Sequence, residues 1–320
     1  MSSDFIYKKQ SRQVRTDLAM ESLPESAGGK WQLNGISMIQ TEYGDVTETI
    51  VEVTNNAGAQ SLGKSIGRYI TMSSEDMPLP DCETRTILIE RLRLNLAHML
   101  PQGGDVLVVG LGNRRVTADS LGPKVVDKIF VTRHMREQTP PSLKGRVRAV
   151  SAVAPGVLGV TGMETAEVIR GIVDHVHPCA VIAIDALAAR ETARICTTLQ
   201  IADTGIDPGS GIGNHRRGLN EQTLGVPVIA IGVPMVVYAS TIARDALTLL
   251  AGDLDLDLDE HSDALDALVD RVIARQLGDM VVTPREIDER VQNLSDAIAM
   301  GINSALQPNL TKEEIPIVTP

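Results

Sequence analysis

The sequence predicts an α/β protein: a mostly parallel twisted sheet with helices on both faces, extended by an antiparallel β segment. Three observations predict it. Apolar runs without alternation, DVLVVGLG (105–112), CAVIAIDAL (179–187) and VPVIAIGVP (226–234), read as strands buried on both faces. Helical patterns such as SLGPKVVDKIFVTRHM and GMETAEVIRGIVDHV separate strand signals, the arrangement that gives parallel neighbours. Short runs near the N-terminus, ISMIQTEY and ETIVEVTN, alternate partially and are rich in β-branched residues, as antiparallel strands are. Between these parts, ETRTILIERLRLNLAHML (83–100) has the spacing of an amphipathic helix that PQGGD stops, and DERVQNLSDAIAMGINSAL closes the chain as a helix. The acidic stretch DLDLDLDE (253–260) reads as a solvated connection, and residues 1 to about 30 carry no sustained period.

Composition excludes several classes. The 320 residues, 43% hydrophobic, can bury a large core, and a formal net charge of −11 argues against direct nucleic-acid binding, which needs clustered Lys and Arg. A basic peptide substrate suits that charge better. Three cysteines, Cys82, Cys179 and Cys196, form no CxxC pair and read as reduced thiols of a cytoplasmic protein. No stretch reaches the roughly 18 apolar residues of a membrane span, and the N-terminus lacks a signal-peptide run, so no membrane association is expected.

The glycine-rich loop after the strand at 106–109 poses the functional question. A dinucleotide fingerprint would need a third glycine where GLGNRR has Arg115, and no GK[ST] follows to make a phosphate loop. What remains is Asp119 before a helix, readable as an N-cap or as a catalytic acid. A second acid, Asp185, ends the apolar run AVIAID, where a carboxylate is costly unless it is paired or opens on a crevice. Carboxyl ends of parallel strands lie on one side of a sheet, so adjacent strands could bring the two acids together. One could then take a proton from water while the other gives one to a scissile peptide.

Other constellations are thinner. His175 and His177 lie at a helix-to-strand junction with no third ligand nearby, and His215 lies in the glycine-rich GSGIGNHRRG. Ser120 and Ser210 lack a nucleophile elbow, and the cysteines lack a nucleophile signature. No metal and no cofactor are expected.

Read in order, VVGLGNRRVTADSLGPKVV, APGVLGVTGMETAEVIRGIV, VIAIDALAAR, GSGIGNHRRGLNEQTLGVPVIAIGVP and VVTPREIDE resemble the germination proteases of spore-forming bacteria, and KSIGRYITM and VRTDLAMES extend the likeness toward the N-terminus. The strand-loop-acid element alone is also similar to hydrogenase maturation proteases, which implies a core of that kind. The resemblance implies an endopeptidase that degrades small acid-soluble spore proteins in the spore core, made as a zymogen that processes itself. It places the two acids of an atypical aspartic protease on Asp119 and Asp185. Processing would fall between Asp17 and Leu18, so that residues 1–17 are a propeptide, 18–100 a β-rich extension with a helix, and 101–320 the catalytic core with C-terminal helices. A homo-tetramer is implied as well. Tyr238 stands where the family has Asp, Val160 where it has a polar residue, and the 253–260 stretch is longer than the family's linker.

Cleavage after an acid asks for a cation in the receiving pocket. Arg114 and Arg115 lie near Asp119, Arg190 near Asp185, and Arg216-Arg217 beside His215. Two other readings stand beside the protease: a metal-dependent maturation peptidase using His175, His177 or His215, and a non-enzymatic regulator binding a small anion at a helix N-terminus.

Overall fold

A tight two-residue turn starts the sheet. Asn34 and Gly35 both have positive φ, 44° and 85°, as the favoured hairpin turn requires, and they join β1 (Lys30–Leu33) to β2 (Ile36–Tyr43). A computed structural model describes residues 16–23, 30–80, 82–135, 145–206, 218–243 and 280–310, with the isolated positions 246, 250 and 277. The loop bearing His215, Arg216 and Arg217, the acidic stretch 253–260 and most of the expected propeptide lie outside the described residues.

The chain continues through β3 (Val46–Val53), helix α1 (Asn56–Leu62), β4 (Gly67–Ser73), α2 (Glu83–Met99), β5 (Val106–Gly110), α3 (Leu121–Val126) and β6 (Val150–Val153). A four-residue turn α4 (Leu158–Thr161) and α5 (Thr165–Val176) lead into β7 (Ala180–Ala189), β8 (Thr198–Ala202), α6 (Glu221–Leu224) and β9 (Val228–Tyr238). A short β10 (Val281–Val282) and the long α7 (Ile287–Leu306) follow.

Among the described residues, ten strands form one sheet, in the order β1-β2-β3-β4-β8-β9-β7-β5-β6, with β10 on β9. This corrects the expectation of a mostly parallel sheet. Parallel pairing is confined to β5 with β6, β5 with β7 and β7 with β9, while the other six pairings are antiparallel. The reason lies in β8, which runs antiparallel to both β4 and β9 and fuses the N-terminal meander to the parallel strands. All five residues of β8 are buried, so its composition does not reveal its direction.

Alternation along the central strands supplies both layers. Val106, Val108, Ile182, Ile184, Ile229 and Ile231 face α2, α3 and α7. Leu107, Val109, Val181, Ala183 and Val228 face α5 on the opposite side. The helix expected from Ser120 to Met135 is shorter than its pattern, because Asn303 of α7 captures the chain after α3. Its Oδ1 accepts the Phe130 N–H at 2.9 Å and its Nδ2 donates to the Lys128 carbonyl at 2.9 Å. Glu48 of β3, 2% exposed, accepts two bonds from Arg91 of α2 at 3.1 and 2.7 Å and one from Asn95 at 2.8 Å. That pair fastens the first layer to the meander.

Cys196 shows how this core treats a nucleophile. Burial pushes its thiol up to about 11, with nearby Arg290 pulling weakly the other way. At pH 8 it is therefore un-ionised, whereas Cys82 and Cys179 are only half-buried. Titration of the native protein with a thiol-exchange dye is expected to find Cys196 reacting at least ten times more slowly than the other two; three equal rates would contradict this.

Candidate active site

The loop after β5 is shaped by close approach. Gly112 has φ +105°, and a Cβ there would lie 2.1 Å from the Asp119 carbonyl oxygen and 2.9 Å from its Oδ1. Gly122, in the first turn of α3, lies so near the strand ends that a Cβ would fall 2.4 Å from the Leu111 oxygen and 2.6 Å from the Ile184 oxygen. The glycines thus fold the loop back on itself and seat the Asp119 turn on the sheet. Asp119 does not occupy the N-cap position of α3, which belongs to Ser120; its Oδ2 accepts the Asn113 N–H at 2.8 Å.

Asp185 lies on the neighbouring strand. Gly110 of β5 pairs with Ile184 of β7, and Leu111 N–H donates to the Ile184 carbonyl at 2.8 Å. Asp185 is the next residue, 6% exposed, with its Oδ1 accepting the Ala186 N–H at 2.9 Å. The turn holding Asp119 contacts both β7 and β9. Asp119 therefore lies in the turn that follows β5, while Asp185 lies within β7 at the level where β5 stops, not at the end of its strand as the sequence suggests, because β7 continues to Ala189 along β9.

Beyond Ile184, β7 runs five residues past its pairing with β5, from Asp185 to Ala189, and the N-terminal segment docks along that stretch. Asp17 N–H donates to the Ala188 carbonyl at 3.2 Å, and Ala188 N–H donates to Asp17 Oδ2 at 2.9 Å. Leu18, fully buried, packs with Leu187 and Ala189. Those residues share a face of β7 with Asp185, because strand side chains alternate; Leu187 is one step along that face, about 6.6 Å. Lys64 Nζ donates to the Asp17 carbonyl at 2.9 Å and to that of Thr16 at 3.2 Å. Gln200 of β8 donates from Nε2 to the Asp17 carbonyl at 3.2 Å and accepts the Ala19 N–H at 2.8 Å. Further along, the Glu21 side chain is sealed from solvent, accepting the N–H groups of Arg190 and Glu191 at 2.9 and 3.0 Å and pairing with Arg194 at 3.3 Å.

The arginines singled out from sequence are placed differently. Arg114 is exposed and paired with Asp127, whose carboxylate raises the guanidinium further above its ordinary value. Arg115 and Arg190 are exposed, and what Arg190 gives to this segment is its backbone N–H. Among the described residues, Lys64 and Arg194 are cations that contact the docked segment, and sequence reasoning missed both. His177 is the left-handed C-cap of α5 and His175 lies in that helix's last turn, both exposed. Among the described residues no group of three His, Cys, Asp or Glu side chains could hold a metal, and no helix is long and apolar enough to cross a membrane.

A buried carboxylate at the level where a neighbouring strand ends, beside a stretch of extended chain held along β7, is an arrangement compatible with a peptide hydrolase. Comparison with known proteins agrees. Residues 14–271 match the family described as germination protease. Germination proteases of Clostridium perfringens and Clostridium acetobutylicum are 41% and 42% identical over 94% of this chain and 98% of their own length. That of Priestia megaterium is 34% identical over 94% of this chain and 95% of its own. The chain belongs to the germination protease family, and its activity is that of a protease in spore germination.

Proposed function

We propose that the chain is an aspartic-type endopeptidase, made as a zymogen, that removes residues 1–17 by cutting its own Asp17–Leu18 bond and then degrades small acid-soluble spore proteins in the spore core. The observation that carries the reading is the seating of Thr16–Ala19 on β7 within a step or two of Asp185, with Leu18 buried against the strand. In the reaction, water oxygen bonds to the Asp17 carbonyl carbon while one of Asp119 and Asp185, ionised, takes its proton. The C–N bond then breaks as the other acid, protonated, gives its proton to the Leu18 nitrogen. The products are a new α-carboxyl at Asp17 and a free amine at Leu18. Like charges held close favour such a division of one proton between two acids. A homo-tetramer belongs to the same reading, resting on the family resemblance alone.

Incubating the protein with a purified small acid-soluble spore protein and mapping the fragments tests it. Discrete cuts that follow acidic residues, made only after the chain has lost residues 1–17, are expected. Digestion by the uncut chain at the same rate, or none by the shortened one, would contradict it.

A further inference from the structure

The docked segment offers a feature that the two acids do not explain. The Asp17 carbonyl receives two side-chain donors, Lys64 Nζ at 2.9 Å and Gln200 Nε2 at 3.2 Å. The donors come from distant parts of the chain, Lys64 just past the left-handed cap of α1 and Gln200 from the middle of β8. Gln200 is 8% exposed, and its amide is oriented by both of its bonds, since the Ala19 N–H needs the oxygen where it stands. The nitrogen side of the same peptide is held too, with Leu18 N–H donating to Thr16 Oγ1 at 3.1 Å. Register ties this cluster to Asp185: Gln200 and Asp185 both lie opposite Gly232 of β9, so they share one row and one face, two strand spacings or about 9.6 Å apart.

We infer that Lys64 and Gln200 polarise the scissile carbonyl and hold the oxyanion formed when water adds to it, an assignment that rests on Asp17–Leu18 being the bond cut. As the carbon becomes tetrahedral, its oxygen gains a full negative charge. An ammonium and an amide N–H already aimed at that oxygen strengthen their bonds at that moment, and such differential binding accelerates the step. The cation contributes most, because its attraction grows with the charge on oxygen. The two acids are left to the proton transfers. Gln200 also fixes the leaving side through Ala19, and Ala188 receives the acidic side chain through its N–H. An external substrate would then bind as an extended peptide, its acidic side chain on Ala188 and that residue's own carbonyl between Lys64 and Gln200.

The test uses the full chain and follows its N-terminus by mass during processing, for wild type, Lys64→Met, Lys64→Arg, Gln200→Leu and Gln200→Glu. Hydrogen exchange over residues 16–23, before any cut, reports whether the segment stays seated. Loss of an oxyanion donor typically costs about 10²–10³-fold in rate. Lys64→Met and Gln200→Glu are expected to slow cleavage by that factor with wild-type protection of the segment, since Glu still accepts the Ala19 N–H. Lys64→Arg is expected to recover part of the loss. Wild-type rates in all variants would overturn the assignment while leaving the processing reading intact. Slowed cleavage accompanied by an unseated segment in every variant would also overturn it, reducing both residues to positioning. A wild type that never cuts at Asp17–Leu18 would defeat the processing reading itself, and the assignment with it.

Discussion

Asp185→Asn and Asp119→Asn are each expected to leave the chain full length where the wild type is shortened, with processing at least about 10³-fold slower. A positioned acid or base contributes about 10²–10⁴-fold, and an amide can neither take water's proton nor supply one at neutral pH. The substitution is nearly isosteric. An Asn oxygen can still accept the Ala186 N–H at position 185 or the Asn113 N–H at position 119, so the fold should be retained. Unchanged thermal unfolding beside lost processing would separate chemistry from structure. Either variant processing at the wild-type rate would remove that acid from the mechanism.

Glu48→Ala is expected to have the largest effect on stability, lowering it by about 3 kcal/mol. Glu48 is 2% exposed and accepts three hydrogen bonds, two from Arg91 and one from Asn95, while the Arg91 guanidinium stacks 4.0 Å over the Tyr43 ring. The carboxylate raises the Arg91 pKa above its ordinary value, chiefly through their hydrogen bonds. Removing it strands a largely covered cation and a buried amide, and breaking such a pair from one side costs about 3–5 kcal/mol. We take the lower figure because the Arg91 side chain is 20% exposed. A urea midpoint that falls while the slope stays constant would register the loss. An unchanged midpoint would mean that the pair contributes nothing net.

The parts of this molecule that sequence reveals are those whose physics is local. The strands at β5, β7 and β9 announce themselves as apolar runs, and α2, α5 and α7 as helical patterns, because periodicity records which faces are buried. Strand direction leaves no such record. A fully buried antiparallel strand such as TLQIA has the composition of a parallel one, so the fusion of the meander to the central sheet through β8 was not visible. The end of α3 was hidden for a related reason, since it is set by Asn303 from the far end of the chain.

The same distinction divides the site. Asp119 and Asp185 are legible because a carboxylate interrupting an apolar run, or following a glycine loop, is locally anomalous. Lys64 and Gln200 are not, since one resembles a surface lysine past a helix cap and the other a polar residue within a strand. They meet at Asp17 across separations of 47 and 183 residues, through the pairing of β4 with β8. Arg114, Arg115 and Arg190 lie near the acids in sequence, which says nothing about where a guanidinium points. Arg114 found Asp127 instead.

In the proposed mechanism the segment on β7 is the protein's own substrate. This is tested most directly by intact-mass measurement of the purified full chain during incubation at mildly acidic pH, beside Asp119→Asn. A wild-type product that begins at Leu18 and a variant that keeps its full mass are expected. A wild type that also keeps its full mass, or one that is cut at another bond, would contradict it.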